Sequence, residues 1–223
     1  MRILKLKNWD NPKTEIVKVA VEVLHSGGVI VYPADTAGYS LGASALNQDA
    51  VRKIFIIKQR PHNMPMNIVV NSSAMAKKFC SWTQTAQKLA EELLPGGLTL
   101  ILNKKPVLPD ILTASRNTVG IRIPNSPVAL QIAQKSKVPF TITTANISGQ
   151  GLSSFTLEEI LDNFAKERTK PDLIIDAGKL PYIVSSTILD LTVSPPIILR
   201  QGPVSKEEIE KVLGEKVEVA APR

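Results

Sequence analysis

The chain has 223 residues, 43% of them hydrophobic and 21% charged, enough to bury a full core and too few for more than one or two domains. Its 27 basic residues against 20 acidic ones give a net charge of +7, which suits an anionic ligand, while 4% aromatic content leaves little for a base-stacking platform. A lone cysteine, Cys80, excludes an intrachain disulfide and a thiolate metal cluster. No run reaches the roughly 18 apolar residues of a membrane span, and the opening Met1 to Lys7 lacks the apolar stretch of a signal peptide, so a cytosolic protein without membrane contact is expected.

Between Thr14 and His25, Ile16, Val19, Ala20, Val23 and Leu24 recur at helical spacing, and Gly27-Gly28 stops that helix before a strand at Val29 to Tyr32. Asn47 caps a second helix that carries Val51, Ile54, Phe55 and Lys58 and ends before Pro61. A strand at Met66 to Val70, a helix at Thr83 to Leu94 and a strand at Leu98 to Leu102 follow. Strands at Val119 to Ile123 and Phe140 to Thr144 flank a helix from Ser126 to Ser136. Thr156-Leu157-Glu158-Glu159 is a capping box opening a helix to about Lys166, and Ser205-Lys206-Glu207-Glu208 opens the last helix in the same way. Leu173 to Ile175, Ser186 to Leu191 and Ile197 to Arg200 complete the strands. This alternation predicts an α/β fold, a twisted mixed sheet flanked by helices, as a single domain over 1–223 with its core at about 14–203 and a short C-terminal helix and tail over 204–223.

Gly38-Tyr39-Ser40-Leu41-Gly42 fits the G-x-S-x-G pattern of a serine-hydrolase elbow, which requires a strand ending at the serine and a helix starting directly after it. Neither condition holds. Pro33 to Thr36 intervene before the motif, the next helix waits until after Asn47, and only Asp49 and His62 could complete a triad in the usual order. No G-x-x-x-x-G-K-[ST] and no G-x-G-x-x-G occurs, so a nucleotide would have to be held by side chains. Lys58, Arg60, Arg122 and Arg200 stand at predicted element ends beside glycine, proline and small hydroxyl residues; each taken alone reads equally as a surface cation.

Seven segments in order add a resemblance that extends from about Val23 to Gly202. They are Gly27-Gly28-Val29-Ile30-Val31-Tyr32-Pro33 with Asp35-Thr36, Ile57-Lys58-Gln59-Arg60-Pro61 with Pro65, and Leu94-Pro95-Gly96-Gly97-Leu98-Thr99. Then come Val119-Gly120-Ile121-Arg122-Ile123-Pro124, Thr144-Ala145-Asn146-Ile147-Ser148-Gly149, Ser186-Thr187-Ile188-Leu189-Asp190 and Ile198-Leu199-Arg200-Gln201-Gly202. In this order they resemble the YrdC-type threonylcarbamoyl-adenylate synthases, in the short single-domain form.

The resemblance implies a YrdC-like fold and an enzyme that combines ATP, L-threonine and bicarbonate into threonylcarbamoyl-AMP and pyrophosphate, towards N6-threonylcarbamoyladenosine in tRNA. By position it implies that Thr36, Arg122 and Ser186 contact L-threonine, and that Lys58, Arg60, Thr118, Thr144, Asn146 and Arg200 hold ATP and the bicarbonate-derived group. Lys58, Arg60, Thr144 and Asn146 would carry catalysis. It also implies magnesium as the companion of ATP, with no residue assigned to hold a metal, a downstream threonylcarbamoyl transferase complex as partner, and a tRNA contact. The alternative is a paralogue on the same fold that binds nucleotide, tRNA or double-stranded RNA without making the adenylate. Two departures bear on activity. Ala34 and Thr36-Ala37-Gly38-Tyr39-Ser40-Leu41-Gly42 replace the usual P-T-D-T-V-Y-G-L-G, so Gly38 to Gly42 reads as an altered substrate loop, and Thr144 stands where the family has serine.

Overall fold

The computed structural model describes residues 1–150, 153–164 and 167–221. Its strands are β1 (Arg2–Lys5), β2 (Val29–Pro33), β3 (Tyr39–Ala43), β4 (Asn67–Val69), β5 (Leu98–Asn103), β6 (Thr118–Arg122), β7 (Phe140–Thr144), β8 (Leu173–Asp176), β9 (Thr187–Asp190), β10 (Ile197–Arg200) and β11 (Glu218–Val219). Among the described residues they form one mixed sheet in the order β1-β8-β2-β3-β7-β4-β6-β5-β9-β10-β11. The helices are α1 (Thr14–His25), α2 (Gln48–Lys58), α3 (Ser73–Ala76), α4 (Gln84–Leu93), α5 (Asp110–Thr113), α6 (Pro127–Ser136), α7 (Leu157–Phe164) and α8 (Lys206–Leu213). The twisted mixed sheet flanked by helices is the expected α/β architecture.

Local chemistry sets the boundaries. The Asn47 side chain accepts from the backbone of Asp49 and Ala50, starting α2, and Gln59 in a left-handed conformation ends it. At α7 the Thr156 hydroxyl accepts from Glu159 N while the Glu159 carboxylate accepts from Thr156 N, and Ser205 and Glu208 do the same at α8. The reading of the α7 helix as continuing to Lys166 lies outside the described residues. α1 and α6 pack on each other and against β2, while α2 lies against β2 and β3.

Period-two alternation then decides what shares a face. Ser40 pairs with Thr144, Asn67 with Ile142, Arg122 with Val69 and Thr99, and Ile188 with Thr99 and Arg200. One face of the sheet therefore carries Ser40, Thr144, Asn67, Arg122, Thr99 and Arg200. Its opposite face is apolar, with Leu41, Ile68, Ile121, Leu100 and Leu189 wholly buried. Cys80 is buried in the core, and that burial pushes its thiol up to about 12.

The segment Gly38 to Gly42 departs from its reading as a loop. It enters β3, antiparallel to β2 with Tyr32 opposite Ser40. Ala37 and Gly38 both take positive φ, at 57° and 69°, and reverse the chain tightly enough to form this hairpin. A Cβ on Gly38 would lie 2.3 Å from the Ser154 carbonyl oxygen, so glycine is required there twice over. Ser40 is thus mid-strand, hydrogen-bonded into the sheet on both sides, and has no elbow geometry.

Candidate active site

The polar face opens into a recess of about 180 Å³ lined by Thr36, Ser40, Arg60, Asn67, Arg122, Thr144, Ser186 and Arg200 among others. Arg60 and Thr144 also line an adjoining groove with Lys58, Asn146 and Ser148. On the other side Arg60 and Arg200 border a wider groove of about 730 Å³ that includes Arg116. Residues separated by up to 164 positions in the chain are brought together by the sheet order β3-β7-β4-β6-β5-β9-β10.

At one end, Arg122 Nη2 donates to Asp35 Oδ1 at 2.7 Å, and Asp35 Oδ2 accepts from Asn125 N at 2.8 Å. Arg122 Nε and the Thr36 hydroxyl are buried without a hydrogen-bond partner. Such orphaned donors are rare in a finished core, and both residues line the recess. Ser186 closes the same corner. Its Oγ lies 2.9 Å from Thr99 Oγ1, and Arg200 donates through Nε to Ser186 O at 3.0 Å and through Nη2 to Ser186 Oγ at 3.3 Å.

At the other end, Arg60 donates to the carbonyls of Met64 and Pro65, which hold its guanidinium against the Pro61–Pro65 turn. Lys58 Nζ donates to Thr144 O at 2.5 Å, Asn146 O at 2.8 Å and Asn146 Oδ1 at 3.1 Å. Its ammonium is therefore the pin of the Thr144–Asn146 turn. Thr144 Oγ1 in turn donates to Asn146 Oδ1 at 2.5 Å.

The cations are under electrostatic stress. Burial first, and the charge of Arg60 second, push Lys58 down to about 7. Burial and then Arg122 lower Arg200, and burial lowers Arg60. A cluster whose members depress one another's proton affinity is relieved by an anion, so carboxylate or phosphate is the chemistry this recess favours.

Eight of the nine residues singled out in the sequence line the recess or its adjoining groove: Thr36, Lys58, Arg60, Arg122, Thr144, Asn146, Ser186 and Arg200. Thr118 stands apart, at the start of β6 opposite Asn103, on the same face as Arg122 but outside the recess lining. Four residues with a place in the site were missed. Asp35 and Thr99 position Arg122 and Ser186, while Ser40 and Asn67 line the recess itself. Asp35 and Thr99 fall inside the quoted segments and carried a signal; Ser40 was visible only as part of a misleading motif, and Asn67 carried none.

The Sua5/YciO/YrdC family profile, described as Telomere recombination, matches residues 22–202, and the chain belongs to this family. It is 36% identical over 203 residues to the threonylcarbamoyl-AMP synthase of Pyrococcus abyssi, across 89% of this chain and 57% of that protein. The structure of P. abyssi Sua5 complexed with L-threonine superimposes with a TM-score of 0.90 at 32% identity, covering 99% of this chain and 63% of that one. The crystal structure of E. coli YciO superimposes with a TM-score of 0.83 at 29% identity, covering 94% of this chain and 100% of that one. The chain thus spans less than two thirds of the P. abyssi protein and the whole of the chain in the YciO crystal structure.

Proposed function

We propose that this chain synthesises L-threonylcarbamoyl-AMP from L-threonine, bicarbonate and ATP, releasing pyrophosphate and water, for the threonylcarbamoyl modification of tRNA adenosine. The observation that carries the reading is the meeting, in one recess, of a carboxylate corner (Arg122, Thr36, Ser186) with two further guanidiniums (Arg60, Arg200) that also border the wider groove and suit a polyanion. The binding of L-threonine by the P. abyssi relative supports the first half of that assignment.

In this reading Arg122, fixed by Asp35, offers its free Nε–H to the threonine carboxylate, and the Thr36 and Ser186 hydroxyls orient the amino acid. The amine attacks the bicarbonate carbon, a C–N bond forms and water leaves, giving a carbamate. A carbamate oxygen then attacks the α-phosphorus and the bond to pyrophosphate breaks. Arg60 and Arg200 neutralise the phosphate charge, and Lys58 holds the Thr144–Asn146 turn against the nucleotide. No protein nucleophile is needed, because the substrate amine supplies it.

Magnesium enters this scheme only as a companion of the nucleotide. Among the described residues no group of three or more histidine, cysteine, aspartate or glutamate side chains is placed to hold a metal, and Asp35, on the rim of the site, is committed to Arg122 and Asn125. The protein's donors do not fit a dedicated cation site, so no step is routed through one. Among the described residues no helix is long and apolar enough to cross a membrane, and a reaction on ATP for tRNA modification would run in the cytoplasm. A separate transferase complex would receive the adenylate, and tRNA would be its final acceptor.

The second reading is a paralogue on the same fold that binds nucleotide or RNA without making the adenylate. Pyrophosphate release separates the two. With threonine, bicarbonate and ATP together the synthase reading expects release that fails when any one is omitted and needs no RNA. Cleavage independent of threonine, or no cleavage by folded protein that binds RNA tightly, assigns the second reading instead.

A further inference from the structure

Asn67 stands near the middle of the polar face. Its strand β4 lies between β7 and β6, so Thr144 and Ser40 flank it on one side and Arg122 and Thr99 on the other. It is half-buried and lines the inner recess. Its carboxamide makes no hydrogen bond with any described residue, which leaves its donors and acceptor to whatever enters the recess. The neighbouring strand is shaped to this side chain. A Cβ on Gly120 would lie 2.1 Å from Asn67 Oδ1, so the amide rests where any other residue at 120 would stand.

A neutral amide at this point is distinctive because its surroundings are cationic. Arg122 stands in the carboxylate corner, and Arg60 and Arg200 line the recess where it meets the wider groove. What bridges the two ends is the carbon that joins amine to phosphate. A carboxamide has one acceptor and two donors, so it pairs side by side with a group that presents one carbonyl oxygen and one N–H.

Resting on the synthase reading above, we propose that Asn67 is a binding residue for the bicarbonate-derived carbamate, its Nδ2–H donating to the carbamate oxygen and its Oδ1 accepting from the carbamate N–H. Arg122 then selects the carboxylate, Arg60 and Arg200 the phosphates, and Asn67 the group formed between them.

The test is pyrophosphate release in buffer purged of carbon dioxide, with bicarbonate titrated back at saturating threonine and ATP. Asn67→Leu, close in size but unable to hydrogen-bond, raises the KM for bicarbonate about tenfold, the scale of one or two lost hydrogen bonds in a closed site. The KM for ATP changes less than about twofold, since the amide touches no phosphate, and the affinity for threonine alone, measured by calorimetry, falls by less than the bicarbonate KM rises, since the amino acid loses at most the contact to its nitrogen and keeps those to Arg122, Thr36 and Ser186. Asn67→Met, equally unable to hydrogen-bond and equally uncharged, gives the same pattern and guards against a folding defect in the leucine protein. Gly120→Ala reproduces it by displacing the amide. A bicarbonate KM unchanged in Asn67→Leu and Asn67→Met, beside a wild type that requires all three substrates, overturns this assignment alone. A threonine affinity that falls as much as the bicarbonate KM rises, or more, also overturns it, by placing Asn67 on the amino acid rather than on the carbamate. A wild type that ignores threonine and bicarbonate overturns the synthase reading and this assignment with it.

Discussion

Arg122 and Asp35 form a buried ion pair at 2.7 Å, with side chains only 4% and 10% exposed. The pair has work beyond stability, because Asp35 engages Nη2 and leaves Arg122 Nε unpartnered at the recess. Removing one member of such a pair strands a desolvated charge. Asp35→Ala should therefore lower stability by about 3 kcal/mol and raise the threonine requirement together. Thermal unfolding and threonine calorimetry check both effects. An unchanged melting temperature would show that water replaces the carboxylate at no cost.

Ser40 gives the opposite expectation. It is fixed in β3 between Tyr32 and Thr144, and its hydroxyl has no histidine to activate it, since His25 contacts Ser136 and His62 stacks near Phe55. A fluorophosphonate probe should leave the protein unlabelled. Because Ser40 lines the recess, Ser40→Ala should raise a substrate KM by less than about tenfold while leaving most of kcat, the size of one neutral contact. Stoichiometric labelling at Ser40 would restore the hydrolase reading.

Much of this was legible in the chain itself, and the boundary is physical. α1 and α2 could be read because apolar periodicity and capping are local. β1 and β11 were missed because edge strands of four and two residues carry too short a pattern. β3 was hidden by two glycines, and only pairing with β2 and β7 makes it a strand. At the site, Arg122, Arg200 and Lys58 were readable through the quoted segments. Asn67 was not, because a single polar residue in Met66-Asn67-Ile68-Val69-Val70 has meaning only once register sets it on the face opposite the core.

Arg60 and Arg200 flank the recess from opposite sides, one held by the Pro61–Pro65 turn and the other by Ser186. Neither guanidinium is built into the apolar core, so replacing either should spare the fold. Arg60→Ala and Arg200→Ala should each weaken kcat/KM for ATP by about 2 to 4 kcal/mol, the usual scale for a lost donor to developing charge. Their unfolding midpoints should stay near that of the wild type. Full turnover in either folded variant would take that arginine out of the site.

Lys58 supplies a pH signature. Its ammonium is buried beside Arg60, and its pKa falls from the ordinary lysine value to about 7. Between pH 7 and the ordinary value near 10.4 the unfolded chain therefore binds a proton that the folded chain does not. Where the unfolded state holds more protons, stability rises with pH, so this residue costs stability below about pH 7 and the cost fades as pH increases. Other groups titrate in the same range, Cys80 among them, so the difference between wild type and Lys58→Met is the informative quantity. That difference should shift in favour of the wild type from pH 7 to 9 in denaturant titrations. ATP should act in the reverse sense. Its phosphates beside Arg60 favour the Lys58 ammonium, so ATP binding at pH 8 should take up a proton, read as a dependence of the calorimetric heat on buffer ionisation enthalpy. Lys58→Met should abolish that dependence. Proton-neutral ATP binding by the wild type at pH 8 would mean that Lys58 is already charged in the free protein, held so by its three carbonyl oxygens at Thr144 and Asn146.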